Sequence, residues 1–123
     1  MTFLVQRARP NWLLEMIYED INNGMLEEAI AVYANCNNLK KKQVKMIRTI
    51  INENNLTLEE LKALAHRSLE PDTMRLLANG FYMGLDPQSV QTQIREGSLN
   101  VETLEQDIVN NYIDKLCNMD NFF

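Results

Sequence analysis

Hydrophobic residues recur every three or four positions along the chain, in short runs separated by residues typical of helix ends. This spacing places the apolar side chains of a run on one face of a helix, as for Leu13, Met16 and Ile17. We predict seven helices, at about residues 12–23, 25–34, 40–53, 58–66, 71–83, 87–96 and 101–116. No segment alternates between apolar and polar residues as a strand does, so the predicted fold class is all-α.

Residues with strong preferences for helix ends separate these runs. Thr57 and Glu60 form a capping box, in which the Thr57 hydroxyl satisfies a backbone amide of the first turn and the Glu60 side chain reaches back to the cap. Asp86 precedes Pro87, which combines a capping side chain with a first-turn proline. Asn100 is placed to cap the last helix. The helix boundaries therefore rest on local chemistry as well as on periodicity.

The helices repeat with a period of 30 residues. Leu39, Leu69 and Leu99 are separated by that interval (69 − 39 and 99 − 69). The same frame superposes three further sets: Leu14, Val44, Met74 and Leu104; Ile17, Ile47 and Leu77; Ile21, Ile51 and Phe81. Gly24, Asn54 and Gly84 share a helix-ending position, where Gly and Asn tolerate positive φ. This period is the size of a two-helix repeat whose copies stack on one another.

The repeat frame also predicts how the domain is organised. Asp107 stands where the earlier copies carry Ile or Leu, so we expect the fourth copy to be a C-terminal capping helix. The prediction is one domain of stacked helical hairpins over residues 1–123. Residues 1–10 are assigned to an N-terminal arm and residues 118–123 to a C-terminal tail.

Residues 74–86, with the sequence MRLLANGFYMGLD, resemble a short repeat of known proteins. The pattern is similar to a helical repeat, roughly QMxxIRxGLxxGLD, in proteins of phages, plasmids and other mobile elements of gut Firmicutes. Residues 43–48 form a second, weaker copy of its opening. The resemblance implies a mobile-element setting and a close helix contact at Gly80, and it carries over no catalytic residue.

Composition narrows the class of protein. The chain has 123 residues, a formal net charge of −5 and 46% hydrophobic residues, which suits one globular domain. No apolar run approaches the roughly 20 residues of a spanning helix. At the N-terminus Arg7 and Arg9 follow the short apolar run, whereas the positive residues of a signal peptide precede it. We expect a soluble cytoplasmic protein without membrane contact. With one histidine and two cysteines far apart, we expect no metal and no cofactor.

Charge is distributed unevenly along the chain. Five cations without an intervening acid form a basic ridge on the third predicted helix: Lys40, Lys41, Lys42, Lys45 and Arg48. Such a ridge can contact phosphates or keep a core helix soluble, and both interpretations stay open. Acids dominate the last helix, where Glu102, Glu105 and Asp107 are candidate partner contacts.

The chain ends with two aromatic residues, Phe122 and Phe123. They either pack into the last groove of the domain or anchor a partner, because aromatic residues dominate interface hot spots. Both interpretations stay open. The two phenylalanines complete the set of candidate partner-binding residues.

Catalytic residue patterns are sparse. Cys36 and His66 could form a nucleophile and base only if the fold brings them together. The carboxylate pairs, such as Glu19 with Asp20, are explained by first helical turns and polar faces. We therefore expect a non-enzymatic protein.

Three functional hypotheses follow from the sequence. The first is a protein-binding module, which the resemblance extends to an accessory protein that inhibits or adapts a host machine, as anti-CRISPR proteins do. The alternative is a nucleic-acid-binding regulator of transcription or replication that uses the basic ridge. The third is a small enzyme using Cys36 or His66. A partner protein is expected, with nucleic acid and a second copy of the chain as other candidates.

Overall fold

The computed structural model describes residues 9–36 and 38–120, and in this part of the chain it contains seven α-helices and no strand. The helices are α1 (Asn11–Asn22), α2 (Glu27–Ala34), α3 (Lys41–Glu53), α4 (Leu58–Leu64), α5 (Pro71–Tyr82), α6 (Pro87–Glu96) and α7 (Val101–Asp120). The predicted all-α fold is confirmed. Helix α7 extends to Asp120, which is three residues into the predicted tail, and Phe122 and Phe123 lie outside the described residues.

The helices stack as hairpins in two rows. Helices α1 and α2, α3 and α4, and α5 and α6 follow one another through short turns, and α7 closes the series alone. In one row α3 contacts α5 and α5 contacts α7, while in the other α2 contacts α4 and α4 contacts α6. This order is that of a helical-repeat stack, in which each unit buries its apolar face against its neighbours.

Each hairpin turn begins with a residue in the left-handed conformation. The φ angles of Gly24, Asn54 and Gly84 are 80°, 56° and 103°. After α1 and α5 the turn is closed by a bond to the carbonyl five residues earlier, from Met25 N to Asp20 O and from Leu85 N to Gly80 O, both 2.9 Å. These bonds satisfy carbonyls that the helix end leaves unpaired. The shared helix-ending position predicted these turns.

The starts of the second helices differ between the hairpins. Thr57 accepts from the Glu60 amide, and Asp86 accepts from the Gln88 amide. The equivalent residue before α2 is Leu26, which makes no side-chain cap and is 71% exposed. Helix α2 begins at Glu27 and not at the predicted Met25, because Met25 belongs to the turn that its hydrogen bond to Asp20 O closes.

The core follows the repeat. Ile17, Ile47 and Leu77 are all buried, whereas Asp107 at the fourth equivalent position is exposed. The exposed aspartate fits a capping helix, for which the described residues contain no hairpin partner. Two predicted apolar positions behave differently, because Leu14 and Ile21 of α1 are exposed and no described helix precedes α1. Helix α4 also ends earlier than predicted, at Leu64 and not His66.

Gly80 allows α7 to approach α5 closely. A Cβ atom on Gly80 would lie 2.9 Å from Cδ1 of Ile108 and 3.0 Å from Cδ2 of Leu85. Both distances are shorter than ordinary carbon contacts, so a side chain at this position would push α7 outward. The close helix contact expected at Gly80 is present, and α7 is its partner.

Candidate functional site

A buried cluster of polar side chains joins the first two hairpins. Arg48 of α3 donates from Nε to Oδ2 of Asp20 at 2.8 Å and from Nη2 to Oδ1 at 2.7 Å. Tyr33 of α2 donates its hydroxyl to the same carboxylate. The side chains of Asp20 and Arg48 are 3% and 16% exposed, and two-pronged contacts of this kind are strong. We call these three residues the polar brace.

Two members of the polar brace, Tyr33 and Arg48, hold their protons at neutral pH. Burial is the main cause that raises the pKa of Tyr33 well above its usual range, and the hydrogen bond and charge of Asp20 add to it. The hydrogen bond with Asp20 also raises the pKa of Arg48. Both groups therefore act as permanent donors to one carboxylate, which suits them to hold helices together and not to transfer protons.

Sequence reasoning missed the polar brace. Of the pair Glu19 and Asp20, Glu19 is exposed on a polar face, whereas Asp20 is buried. Arg48, the fifth cation of the predicted basic ridge, reaches back to α1. The repeat frame contained a usable signal, since Asp20 occupies the position of Ile50 and Gly80 (50 − 20 and 80 − 50), both of which are buried.

The remaining cations of the basic ridge face solvent. Lys40, Lys41, Lys42 and Lys45 are exposed around the first turns of α3, and we call them the lysine patch. Among the described residues no carboxylate lies within 4 Å of their ammonium groups, since the ion pairs there involve Arg48 and Arg75. The lysine patch is therefore open to an anionic partner.

The fold brings Cys36 next to the residue before His66. The Cys36 thiol donates to the carbonyl of Ala65 at 3.1 Å, and burial raises the pKa of Cys36. His66 accepts from the Ser68 amide through Nδ1 at 3.1 Å. The Ser68 hydroxyl also lies within hydrogen-bond distance of His66 Nδ1, at 2.7 Å. A thiol kept protonated is a weak nucleophile, and the Cys36 thiol is bonded to a backbone carbonyl and not to His66. Cys117 lies elsewhere, exposed on α7.

The predicted acidic contacts all lie on α7 and are exposed. Asn100 caps this helix by accepting from the amides of Glu102 and Thr103 at 2.9 and 3.3 Å, as predicted. Glu102 and Glu105 share one face of the helix, and Asp107 lies on another. The structure thus separates the acids of the candidate site from the lysine patch on α3.

The same face of α7 carries an exposed apolar stripe. Val109, Tyr112, Ile113 and Leu116 follow the spacing i, i+3, i+4 and i+7, and their side chains are 53%, 48%, 48% and 42% exposed. We call these residues the α7 stripe. They lie apart from Leu104, which is buried against the stack. Helical spacing alone would assign Tyr112, Ile113 and Leu116 to an apolar face, but the structure leaves that face exposed.

The first residue of the α7 stripe departs from the polar residues at the equivalent outer position of the other hairpins. Val109 is equivalent to Asn79, Thr49 and Glu19 (109 − 79, 79 − 49 and 49 − 19), and all three are exposed. The repeat therefore uses polar residues at this outer position three times and an apolar residue once. The change occurs on the helix with no described neighbour beyond it.

A groove of about 430 Å³ lies between the turns of the first two hairpins. Leu26, Ile51 and Leu56 are among its apolar residues, and Asp20 and Arg48 of the polar brace border it. Its volume falls in the range of small-molecule pockets. Asp20 and Arg48 are already bonded to each other, while Glu28 and Asn52 are other polar residues that line the groove.

Within residues 9–36 and 38–120 no group of three or more His, Cys, Asp or Glu side chains could hold a metal ion. The same part of the chain contains no helix that is both long and apolar enough to span a membrane. No family model, curated protein or solved structure matches the chain. The fold and its surfaces define an α-helical hairpin-repeat protein with an internal brace and an apolar stripe on its last helix.

Proposed function

We propose that this protein is a non-enzymatic protein-binding module and that the outer face of α7 is its contact surface. The α7 stripe carries the proposal, because four large apolar side chains are exposed along one face of the last described helix. Contiguous exposed apolar surface of this kind marks interaction sites. Covering one half-exposed side chain of this size contributes on the order of 1 kcal/mol.

The position of α7 supports this role. Its Tyr112 is equivalent to Tyr82, the last residue of α5 (112 − 82). Residues 113–120 therefore continue beyond the length of the neighbouring helix, over about 12 Å at 1.5 Å per residue. A short helix without tertiary packing is marginally stable in water, so a bound partner would stabilise this segment.

Affinity capture from lysate of the native host tests the proposed function. The tagged protein should retain at least one protein after nuclease treatment. Ile113→Glu should reduce its recovery at least about tenfold, because a central interface residue contributes roughly 2 kcal/mol. Leu26→Glu is the matched control, since it also changes an exposed apolar side chain, and should capture as wild type does. Equal capture by all three chains would refute the proposal.

We place this module in the cytoplasm of a host cell, as an accessory protein of a mobile element that inhibits or adapts a host machine. The resemblance of residues 74–86 to mobile-element repeats supports this setting. An anti-defence role predicts that expression restores plaque formation by a phage that the host CRISPR system targets. Ile113→Glu should abolish that effect and Leu26→Glu should not, while equal plaque counts with and without the protein would exclude the role.

The lysine patch supports a second candidate, a nucleic-acid-binding regulator. Four exposed ammonium groups without carboxylate neighbours can neutralise phosphates. Lys41→Glu with Lys45→Glu should then abolish binding to a labelled duplex in fluorescence anisotropy, while Lys62→Glu, on α4, serves as control. Binding that is insensitive to these charges, or absent at low salt, would remove this candidate.

A further inference from the structure

We infer that the partner of α7 is a basic amphipathic helix. The inference rests on the proposed function and names the chemistry of the partner. A stripe with the spacing i, i+3, i+4 and i+7 presents a narrow apolar ridge about two turns long. A second helix that packs along this ridge with its own apolar stripe matches it in length and direction.

The charges beside the α7 stripe select a basic partner. Glu102 and Glu105 continue the line of the stripe towards the N-terminus of α7, since they precede Val109 by seven and four positions (109 − 102 and 109 − 105). Both are exposed, and the described ion pairs do not include them. Lysine or arginine beyond the apolar residues of the partner would pair with these carboxylates and fix the direction of the two helices.

The net negative charge of α7 disfavours two other occupants of this surface, a second copy of the helix and an anionic membrane. Between residues 101 and 117, α7 carries Glu102, Glu105, Asp107 and Asp114 against Lys115, a net charge of −3 (1 − 4). A second copy of the helix would bring the same net negative charge to the contact, and in a parallel arrangement it would place Glu102 and Glu105 against their own equivalents. An anionic lipid surface would meet the same repulsion. A basic helix is the occupant for which both the apolar and the charged positions are complementary.

Synthetic peptides test this inference without an identified partner. The probe is a labelled 18-residue amphipathic helix with leucine at stripe spacing and lysine beside the stripe. One control replaces every lysine with glutamate, and another keeps the composition but scrambles the leucine positions. Fluorescence anisotropy should show saturable binding of the basic probe, with affinity at least about tenfold above either control. Equal affinities for the three peptides, or no binding of the basic probe, would overturn the inference.

Matched variants locate the binding site. Ile113→Glu and the pair Glu102→Lys with Glu105→Lys should each weaken binding of the basic probe at least about tenfold. The double charge reversal should in addition improve binding of the glutamate peptide. Glu59→Lys with Glu96→Lys changes the net charge equally on other helices and should leave the affinity within about twofold. Similar losses in both charge-reversal proteins would show a nonspecific charge effect and overturn the inference.

Two further measurements separate the inference from the proposed function. Lysate capture that requires Ile113 without any binding of the basic probe would leave the protein-binding function intact and refute the basic helix. Sedimentation should show a monomer at micromolar concentration. A dimer that Ile113→Glu dissociates, or binding to anionic vesicles that the same change abolishes, would assign the surface to a second copy or to a membrane and overturn the inference.

Discussion

The two ends of the stack are joined by opposite kinds of contact at equivalent positions of the repeat. In the first junction Asp20 of α1 binds Arg48 of α3 through two hydrogen bonds. In the last junction Gly80 of α5 receives the side chain of Ile108 of α7. The two pairs have the same separation (48 − 20 and 108 − 80). The same two repeat positions thus form an ion pair at one end of the stack and a contact between a glycine and an isoleucine side chain at the other.

The middle junction has Ile50 and Ala78 at the same two positions (78 − 50), and both are buried. These two repeat positions therefore carry an ion pair in the first junction, a large and a small apolar residue in the middle one, and glycine with isoleucine in the last. The first junction depends on charge, and the last depends on the absence of one Cβ atom, so different substitutions should break them.

The largest effect is expected when the ion pair of the first junction is broken. Asp20→Ala removes the buried acceptor of the Tyr33 hydroxyl and of the Arg48 guanidinium, which then keeps only its exposed contact with Glu19. Removing one partner of a buried pair costs about 3 kcal/mol or more. Urea unfolding should show this loss, while Glu19→Ala, which removes only the exposed contact to Arg48 at 3.3 Å, should stay within about 0.5 kcal/mol of wild type. Similar stabilities for both variants would contradict the role of the polar brace.

Alkaline pH should weaken the first junction through Tyr33. The pKa of Tyr33 is raised in the folded protein above its ordinary value of 10.0, so above pH 10 the unfolded chain binds fewer protons than the folded one. The stabilisation is complete below pH 10 and declines above it by up to about 1.4 kcal/mol per pH unit. Urea unfolding between pH 8 and 11 measures this slope.

Two tyrosine variants assign this alkaline slope. Tyr33→Phe should remove most of it, while Tyr18→Phe, which changes an exposed tyrosine of α1, should retain it. The same slope in both variants would show that other groups cause the loss of stability.

The last junction should respond to a single methyl group. Gly80→Ala gains about 1 kcal/mol of helix propensity but forces Ile108 and Leu85 to move, and overpacking costs roughly 1–3 kcal/mol. We expect a net loss of about 1 kcal/mol in urea unfolding. In a double-mutant cycle, Ile108→Ala should remove most of the cost of Gly80→Ala. Additive effects of the two substitutions would show that the close approach is not what requires glycine.

The smallest effect concerns the uncapped second helix of the first hairpin. Leu26→Asp supplies the cap that Thr57 and Asp86 provide in the other two hairpins, and should stabilise the protein by about 0.5 kcal/mol. Thr57→Ala should have the opposite sign, with a loss of about 1 kcal/mol. Thermal unfolding of the two variants checks the signs, and destabilisation by Leu26→Asp would show that the exposed leucine has a structural role.

Most of the fold was predictable because its signals are local. The left-handed residues Gly24 and Gly84, the capping box at Thr57 and the 30-residue frame are all visible in the sequence and are present in the structure. Helix periodicity also predicted the buried faces of α3 and α5. It failed for Leu14 of α1 and for Ile113 of α7, because periodicity marks an apolar face but does not show whether a neighbouring helix covers it.

The polar brace was missed for a different reason, although the repeat frame places Asp20 at a position that is buried in the other two hairpins. Asp20 and Arg48 are charged residues on different helices, and charge at helical spacing is ordinarily solvated. Only the three-dimensional stack places one against the other. The α7 stripe was not predicted, because its apolar character at Val109 stands out only when that residue is compared with its exposed equivalents Glu19, Thr49 and Asn79. The functional assignments of the lysine patch, the acids of α7 and the C-terminal phenylalanines stay predictions.

Residue-resolved amide hydrogen exchange, with and without the basic amphipathic probe, tests the central claim most directly. In the absence of the probe, amides after Tyr112 should exchange fast, while those around Asp20 should approach the protection of global unfolding. Addition of the probe should slow exchange selectively between residues 105 and 120. Protection that appears instead around the lysine patch or α1, or no change along α7, would contradict a binding surface at the open end of the stack.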